Sequence, residues 1–125
     1  MSRAPIVTIQ RLMDELGAYA RIGRVSGGGI TRPCLGPADR EARQRFAEAL
    51  QDEGLEVEID GAANVWGRLR GTDTERGAIV VGSHLDTVPN GGDYDGALGT
   101  LMALELLRTA REHGLRLRHD LEVVS

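Results

Sequence analysis

The spacing of apolar positions changes several times along the chain, and each change marks an element. Ile6, Ile9, Leu12, Met13 and Leu16 recur at helical spacing. They predict an amphipathic helix over residues 5–22, with Pro5 tolerated in its first turn. Gly27-Gly28-Gly29 breaks that pattern, and a loop containing Pro33, Cys34 and Gly36 runs to Pro37. A second helix follows, with Asp39 as its expected N-cap and Ala42, Phe46, Ala49 and Leu50 as its apolar face. Gly54 stands where a C′ glycine stops a helix. The period then drops to two. Leu55, Val57 and Ile59 alternate with Glu56, Glu58 and Asp60, and Asn64 to Leu69 reads as their hairpin partner.

Residues 78–83, Ala-Ile-Val-Val-Gly-Ser, are a continuous apolar run. Such a run predicts a central strand buried on both faces. A polar, glycine-rich loop spans His84 to Asp95. Leu98, Leu101, Met102, Leu104, Leu106, Leu107 and Ala110 then make residues 96–113 a helix apolar around most of its circumference, ended by Gly114. Leu121-Glu122-Val123-Val124 begins another strand. Strand, loop, long helix, strand is a βαβ unit, so the expected class is α/β with some parallel strands. That last strand reaches the end of the sequence where ligands gather in such folds, which predicts a piece of a longer protein.

The chemistry is concentrated in that glycine-rich loop. His84 sits at a strand's C-terminal end, Asp86 two residues on, and Asp95 just before the long helix. A metal-bound histidine commonly gives its second N–H to a carboxylate, which fixes the tautomer and raises ligand basicity, and Asp86 is the carboxylate so placed. A carboxylate at Asp95 can turn back towards His84, and Gly91, Gly92 and Gly96 permit a tight backbone. Read from these residues alone, a metal site stands beside plainer alternatives: a structural histidine and ordinary Asp-Gly and Asn-Gly turns.

Composition narrows the classes. The chain has 125 residues, a formal net charge of −4, no lysine and a single cysteine. The acidic balance argues against nucleic acid or an anionic membrane as the main partner. No apolar run suits a membrane helix. One cysteine excludes an internal disulfide framework and fits a reducing, cytoplasmic compartment. Gly27-Gly28-Gly29 lacks the Lys-Ser/Thr of a phosphate loop. A calcium loop begun at Asp93 would need an acid at its twelfth position, where Leu104 stands. Cys34, His113 and His119 have no partners nearby in sequence and read as structural or surface residues. Trp66 reads as core or hairpin packing. Thr31 and Arg32 read either as loop anchors or as groups facing the cleft.

Residues 82–92, Gly-Ser-His-Leu-Asp-Thr-Val-Pro-Asn-Gly-Gly, followed by Asp95-Gly96, resemble the hydantoinase/carbamoylase amidase branch of the di-metal aminopeptidase-like hydrolases. That branch includes N-carbamoyl-L-amino-acid hydrolases, allantoate amidohydrolases and β-ureidopropionases. Residues 28–32, 54–57, 64–68 and 117–124 resemble further stretches of it. The resemblance implies a three-layer aminopeptidase-like sheet with helices on both faces, of which residues 1–125 are an incomplete N-terminal part without the lid and dimerisation domain. It implies that His84 binds one metal, Asp95 bridges two, and Asp86 orients His84. Asp93-Tyr94 departs from the Arg-Phe common before the bridging aspartate. Asp95 is taken over Asp93 because it alone precedes the glycine that opens the helix.

The cofactors so implied are two divalent ions, and imidazole with carboxylate suits zinc, manganese or cobalt. The activity implied is hydrolysis of a linear amide or ureido C–N bond in a small molecule, by a cytoplasmic homodimer when the protein is whole. The paired glutamates of the family, one of them the general base, are expected after Ser125. The 125 residues alone are expected to be inactive. The alternatives are an exopeptidase or N-deacylase of the same fold, or a metal-binding or interaction segment without catalysis.

Overall fold

The computed structural model describes residues 6–73 and 75–125; Pro5 lies outside them. Three helices and four strands follow one another as α1 (Ile9–Arg21), α2 (Pro37–Asp52), β1 (Glu56–Ile59), β2 (Val65–Leu69), β3 (Ile79–Gly82), α3 (Ala97–Glu112) and β4 (Leu121–Val124). The strands form one sheet in the order β1-β2-β4-β3. The β1–β2 hairpin is antiparallel, with Glu56 opposite Arg68 and Ile59 opposite Val65. β2 and β4 are also antiparallel, whereas β3 and β4 are parallel and joined through α3. The expected βαβ unit is therefore present.

Helices α2 and α3 pack on one face of this sheet, and α1 packs on α3. Phe46, Leu50, Val65, Leu101, Leu104, Leu107 and Val123 are wholly buried between them. Gly67 is required at that interface, because a Cβ there would lie 2.7 Å from Leu50 Cδ2. Among the described residues no helix covers the opposite face, so these residues hold two layers of the expected three.

Both helix stops predicted from glycine are found. Gly54 and Gly114 have φ of +69° and +60°. Each donates to a carbonyl three residues back, and the next residue reaches the carbonyl five back: Leu55 N to Leu50 O at 3.2 Å, Leu115 N to Ala110 O at 2.8 Å. These are paired bonds that close the last helical turn in a left-handed cap.

Other expectations are corrected. Helix α1 starts at Ile9, not residue 5, because Thr8 is extended and its N–H donates to Glu105 Oε1 of α3 at 2.8 Å. Its buried stripe is Leu16, Tyr19 and Ala20, while Ile9 and Met13 are exposed. Asp39 is not the N-cap of α2. Gly36 holds that position, Pro37 opens the helix, and Asp39 in the first turn reaches back to accept the Leu35 N–H at 2.8 Å.

Strand β3 is an edge, not a central strand. Among the described residues it pairs only with β4, and Ile79 and Val80 are 50% and 51% exposed. Met102 and Leu106 on α3 are exposed as well. An apolar run reports where burial is favourable, but burial itself needs a neighbour on each side.

The hairpin turn is organised by one carboxylate. Asp60 accepts the N–H groups of Ala62 and Asn64, the Asn64 amide at 2.8 Å and the Trp66 indole at 3.0 Å. The Trp66 and Asn64 side-chain bonds hold its carboxyl down to about 2, from the usual 3.8. A depressed folded-state pKa contributes stability above the unfolded value that is lost as pH falls through the folded one. Asp60→Asn should therefore lower Tm at neutral pH and flatten the acid limb between about pH 4 and pH 2. An acid limb identical to that of the wild type would refute this.

Candidate metal centre

The loop after β3 carries the three residues singled out in the sequence, and the fold brings them together. His84 leaves the C-terminal end of β3, where Ser83 N donates to Val124 O at 3.2 Å and continues the parallel ladder. Its ring Nδ1 is 2.9 Å from the main-chain oxygen of Asp86 and 3.4 Å from Asp86 Oδ1. A carbonyl can only accept, so Nδ1 carries the proton. In the neutral imidazole, Nε2 then presents a lone pair. It faces Asp95, whose Oδ1 lies 3.6 Å away. Two donors each about 2.0–2.1 Å from one ion stand about 3.3 Å apart at the tetrahedral angle. The observed pair needs only a small side-chain adjustment to share an ion.

Asp86 contributes differently from expectation. Its main-chain oxygen, more than its carboxylate, is at hydrogen-bonding distance from the ring. Asp93 is engaged elsewhere, in an ion pair with Arg24 at 2.9 Å. That leaves Asp95 as the aspartate of this turn that faces His84.

The turn before α3 aims Asp95. Gly96 has φ +71° and ψ −50°, and Ala97 N donates to Asp95 O at 2.9 Å. This is a γ-turn of the rare, strained positive-φ form. Thr100, one turn into α3, places its hydroxyl 3.4 Å from His84 O. Gly96 also lies directly under the histidine, since a Cβ there would sit 2.4 Å from His84 O and 2.5 Å from the ring. Gly92, by contrast, has open space around it.

A second segment braces the loop from below. Ile30 and Gly91 exchange main-chain bonds of 2.9 and 2.7 Å, and Thr87 N donates to Arg32 O at 2.8 Å. Thr87 Oγ1 accepts from Arg32 N at 2.9 Å and donates to Ile30 O at 3.0 Å. Thr31 Oγ1 accepts from Asn90 N at 2.9 Å. Arg32 is 1% exposed. Burial pulls its guanidinium below the ordinary arginine value, opposed by the charges of Asp39, Tyr19 and Asp86. Of the two sequence alternatives for Thr31 and Arg32, the anchor is the one found. The sequence carried no signal for it beyond Gly-Ile-Thr-Arg lying in a loop, because the partners come from two separate segments, the loop after β3 more than 50 residues on and the end of α1.

The donor set suits a borderline cation: one imidazole nitrogen with its other nitrogen capped, and one carboxylate. Two such groups form part of a site. Among the described residues, no group of three His, Cys, Asp or Glu side chains is placed to hold one ion.

The chain is similar to known proteins over nearly its whole length. The profile of Peptidase family M28 matches residues 64–125. An N-carbamoyl-L-amino acid amidohydrolase of Geobacillus stearothermophilus is 39% identical over 116 residues, 93% of this chain and 28% of that protein. An allantoate amidohydrolase of Bacillus subtilis is 35% identical over 125 residues, 100% of this chain and 30% of that protein. A crystal structure of a hydantoinase/carbamoylase family amidase from Burkholderia ambifaria superposes with a TM-score of 0.93 at 38% identity, covering 97% of this chain and 30% of that one. The chain thus spans under a third of the length of these relatives. The aminopeptidase-like α/β class expected from the sequence is the class found.

Proposed function

Since this chain is a relative of the hydantoinase/carbamoylase-type amidases, we propose that it is the amino-terminal part of the catalytic domain of a divalent-metal-dependent hydrolase acting on linear ureido or amide C–N bonds. Its substrates are small molecules of the N-carbamoyl amino acid or allantoate type. The observation that carries this is His84 Nε2 and Asp95 Oδ1 facing each other at 3.6 Å beyond the C-terminal end of β3, in a chain so similar to amidohydrolases over nearly its whole length.

In this reading His84 and Asp95 are metal ligands, with Asp95 shared between two cations. Asp86 fixes the histidine ring so that Nε2 is unprotonated and aimed. Zinc, manganese or cobalt would lower the pKa of a shared water and polarise the scissile carbonyl when bound there. The remaining ligands and the glutamate that takes the water's proton and hands it to the leaving nitrogen belong to the rest of the protein. So do the lid and the homodimer contacts. A single exposed cysteine, Cys34, and no helix among the described residues long and apolar enough to cross a membrane are consistent with a cytoplasmic enzyme of this kind.

The test uses the whole protein, stripped of metal and reloaded with zinc, manganese or cobalt. Release of the amino acid from N-carbamoyl-L-amino acids, or of ammonia from allantoate, is expected only in the loaded protein. Turnover that survives chelation, or no ureido hydrolysis with any of the three metals, would overturn the proposal. Cleavage confined to dipeptides would select the exopeptidase reading, which the match to Peptidase family M28 favours.

A further inference from the structure

Arg32 is a wholly buried cation with no carboxylate at hydrogen-bonding distance among the described residues. Its guanidinium instead gathers three main-chain carbonyls. Nη1 donates to Tyr19 O and Ile22 O, each at 3.0 Å, and Nε donates to Leu85 O at 2.5 Å. Tyr19 lies in the last turn of α1 and Ile22 is its C-cap, where carbonyls have spare acceptor capacity and the helix dipole favours positive charge; Tyr19 O also accepts from Ile22 N. Leu85, whose side chain is fully buried, lies between His84 and Asp86. The main chain of residue 32 completes the grip, with its N–H on Thr87 Oγ1 and its carbonyl on Thr87 N. Residue 32 therefore holds both neighbours of Asp86, and the Asp86 carbonyl in turn holds His84 Nδ1.

We propose that Arg32 is a positioning residue for the candidate metal ligand His84, clamping the 85–87 backbone to the end of α1 so that the imidazole is set for metal before any metal arrives. This rests on the reading of His84 and Asp95 as ligands. The clamp depends on the fork. Nε and Nη1 point to carbonyls from two separate segments, α1 and the loop, and are fixed relative to each other by the planar guanidinium. A lysine keeps the charge at one point and cannot hold both segments in that geometry. Outer groups that orient a metal-bound histidine commonly matter by 10–100-fold in affinity or activity.

The experiment compares Arg32→Lys with wild type in the whole protein, reading the metal Kd by chelator competition with zinc alone, Tm of the metal-free form, and kcat and KM. Glu53→Gln is the control. It removes the carboxylate that pairs Arg108 and Arg111 across α2 and α3, far in sequence from the site. Arg32→Lys is expected to weaken zinc binding roughly 10–100-fold and to lower kcat at limiting zinc, with KM changed far less. Glu53→Gln is expected to lose thermal stability with zinc affinity unchanged.

Zinc binding by Arg32→Lys within twofold of wild type, or no weaker than in Glu53→Gln, would overturn the proposal. A wild-type protein that binds no zinc would instead remove the ligand reading itself, and this inference with it. Should Arg32→Lys fail to fold, Thr87→Val carries the test. It deletes the hydroxyl that accepts from Arg32 N and donates to Ile30 O, and roughly fivefold weaker zinc binding is expected. Unchanged affinity there would refute the role of residue 32 in setting the loop.

Discussion

Asp95→Ala in the whole protein is expected to leave a folded chain without measurable hydrolysis and with its metal content sharply reduced. The carboxylate is 56% exposed and faces His84 Nε2. Little packing is lost on truncation, and surface changes of this kind usually stay within about 0.5 kcal/mol. Function and stability should therefore separate cleanly. If Asp95 bridges two cations as proposed, roughly 3.5–4 Å apart, its removal affects the pair and not one ion alone. Asp93→Ala is the internal comparison, because it loses only the ion pair with Arg24 and should retain metal and turnover. Stoichiometric metal and wild-type rates in Asp95→Ala would rule out the bridging role. Loss of both in Asp93→Ala would mean the two aspartates had been exchanged.

Gly96→Ala is expected to be the most disruptive single methyl in the loop. The γ-turn at Gly96 requires φ +71°, a conformation that costs a residue with a Cβ about 1–3 kcal/mol. The new Cβ would also meet His84 O at 2.4 Å and the imidazole at 2.5 Å. The main-chain oxygen cannot move away freely, because β3 is tied to β4 immediately before it. The strain and the overlap together should cost about 2–4 kcal/mol, and relief should come by displacing the His84 ring from its place opposite Asp95. A lower urea midpoint together with weaker metal binding is the expected pair of readouts. Gly92→Ala, in the same loop but with nothing within 4 Å of a new Cβ, should change neither. A Gly96→Ala protein with wild-type midpoint and affinity would show that the turn can be rebuilt without glycine.

The sequence by itself determined the features whose causes lie within a few residues. The stops at Gly54 and Gly114 follow from one residue that tolerates positive φ. The β1–β2 hairpin follows from a period-two pattern interrupted by a turn. The choice of His84, Asp86 and Asp95 followed from a short loop between a strand and a helix, joined to a family resemblance, and the loop is short enough for its own geometry to bring these groups together.

Tertiary structure alone decided what depends on distant neighbours. Among the described residues Val80 is exposed because β3 pairs on one side, with β4, and which strands lie beside a run such as 78–83 is not encoded in the run itself. Leu16 of the expected α1 stripe is buried, but Ile9 and Met13 are not and Tyr19 and Ala20 are, because α3 sets the contact and Glu105 takes the Thr8 N–H. Asp39 became a brace for the Leu35 N–H because Pro37 and Gly36 claimed the helix start. Arg32 read in the sequence as either a loop anchor or a group facing the cleft. Its buried guanidinium makes sense only once the end of α1 and Leu85, 53 residues on, are folded around it, since a buried charge persists only where preformed dipoles replace its water.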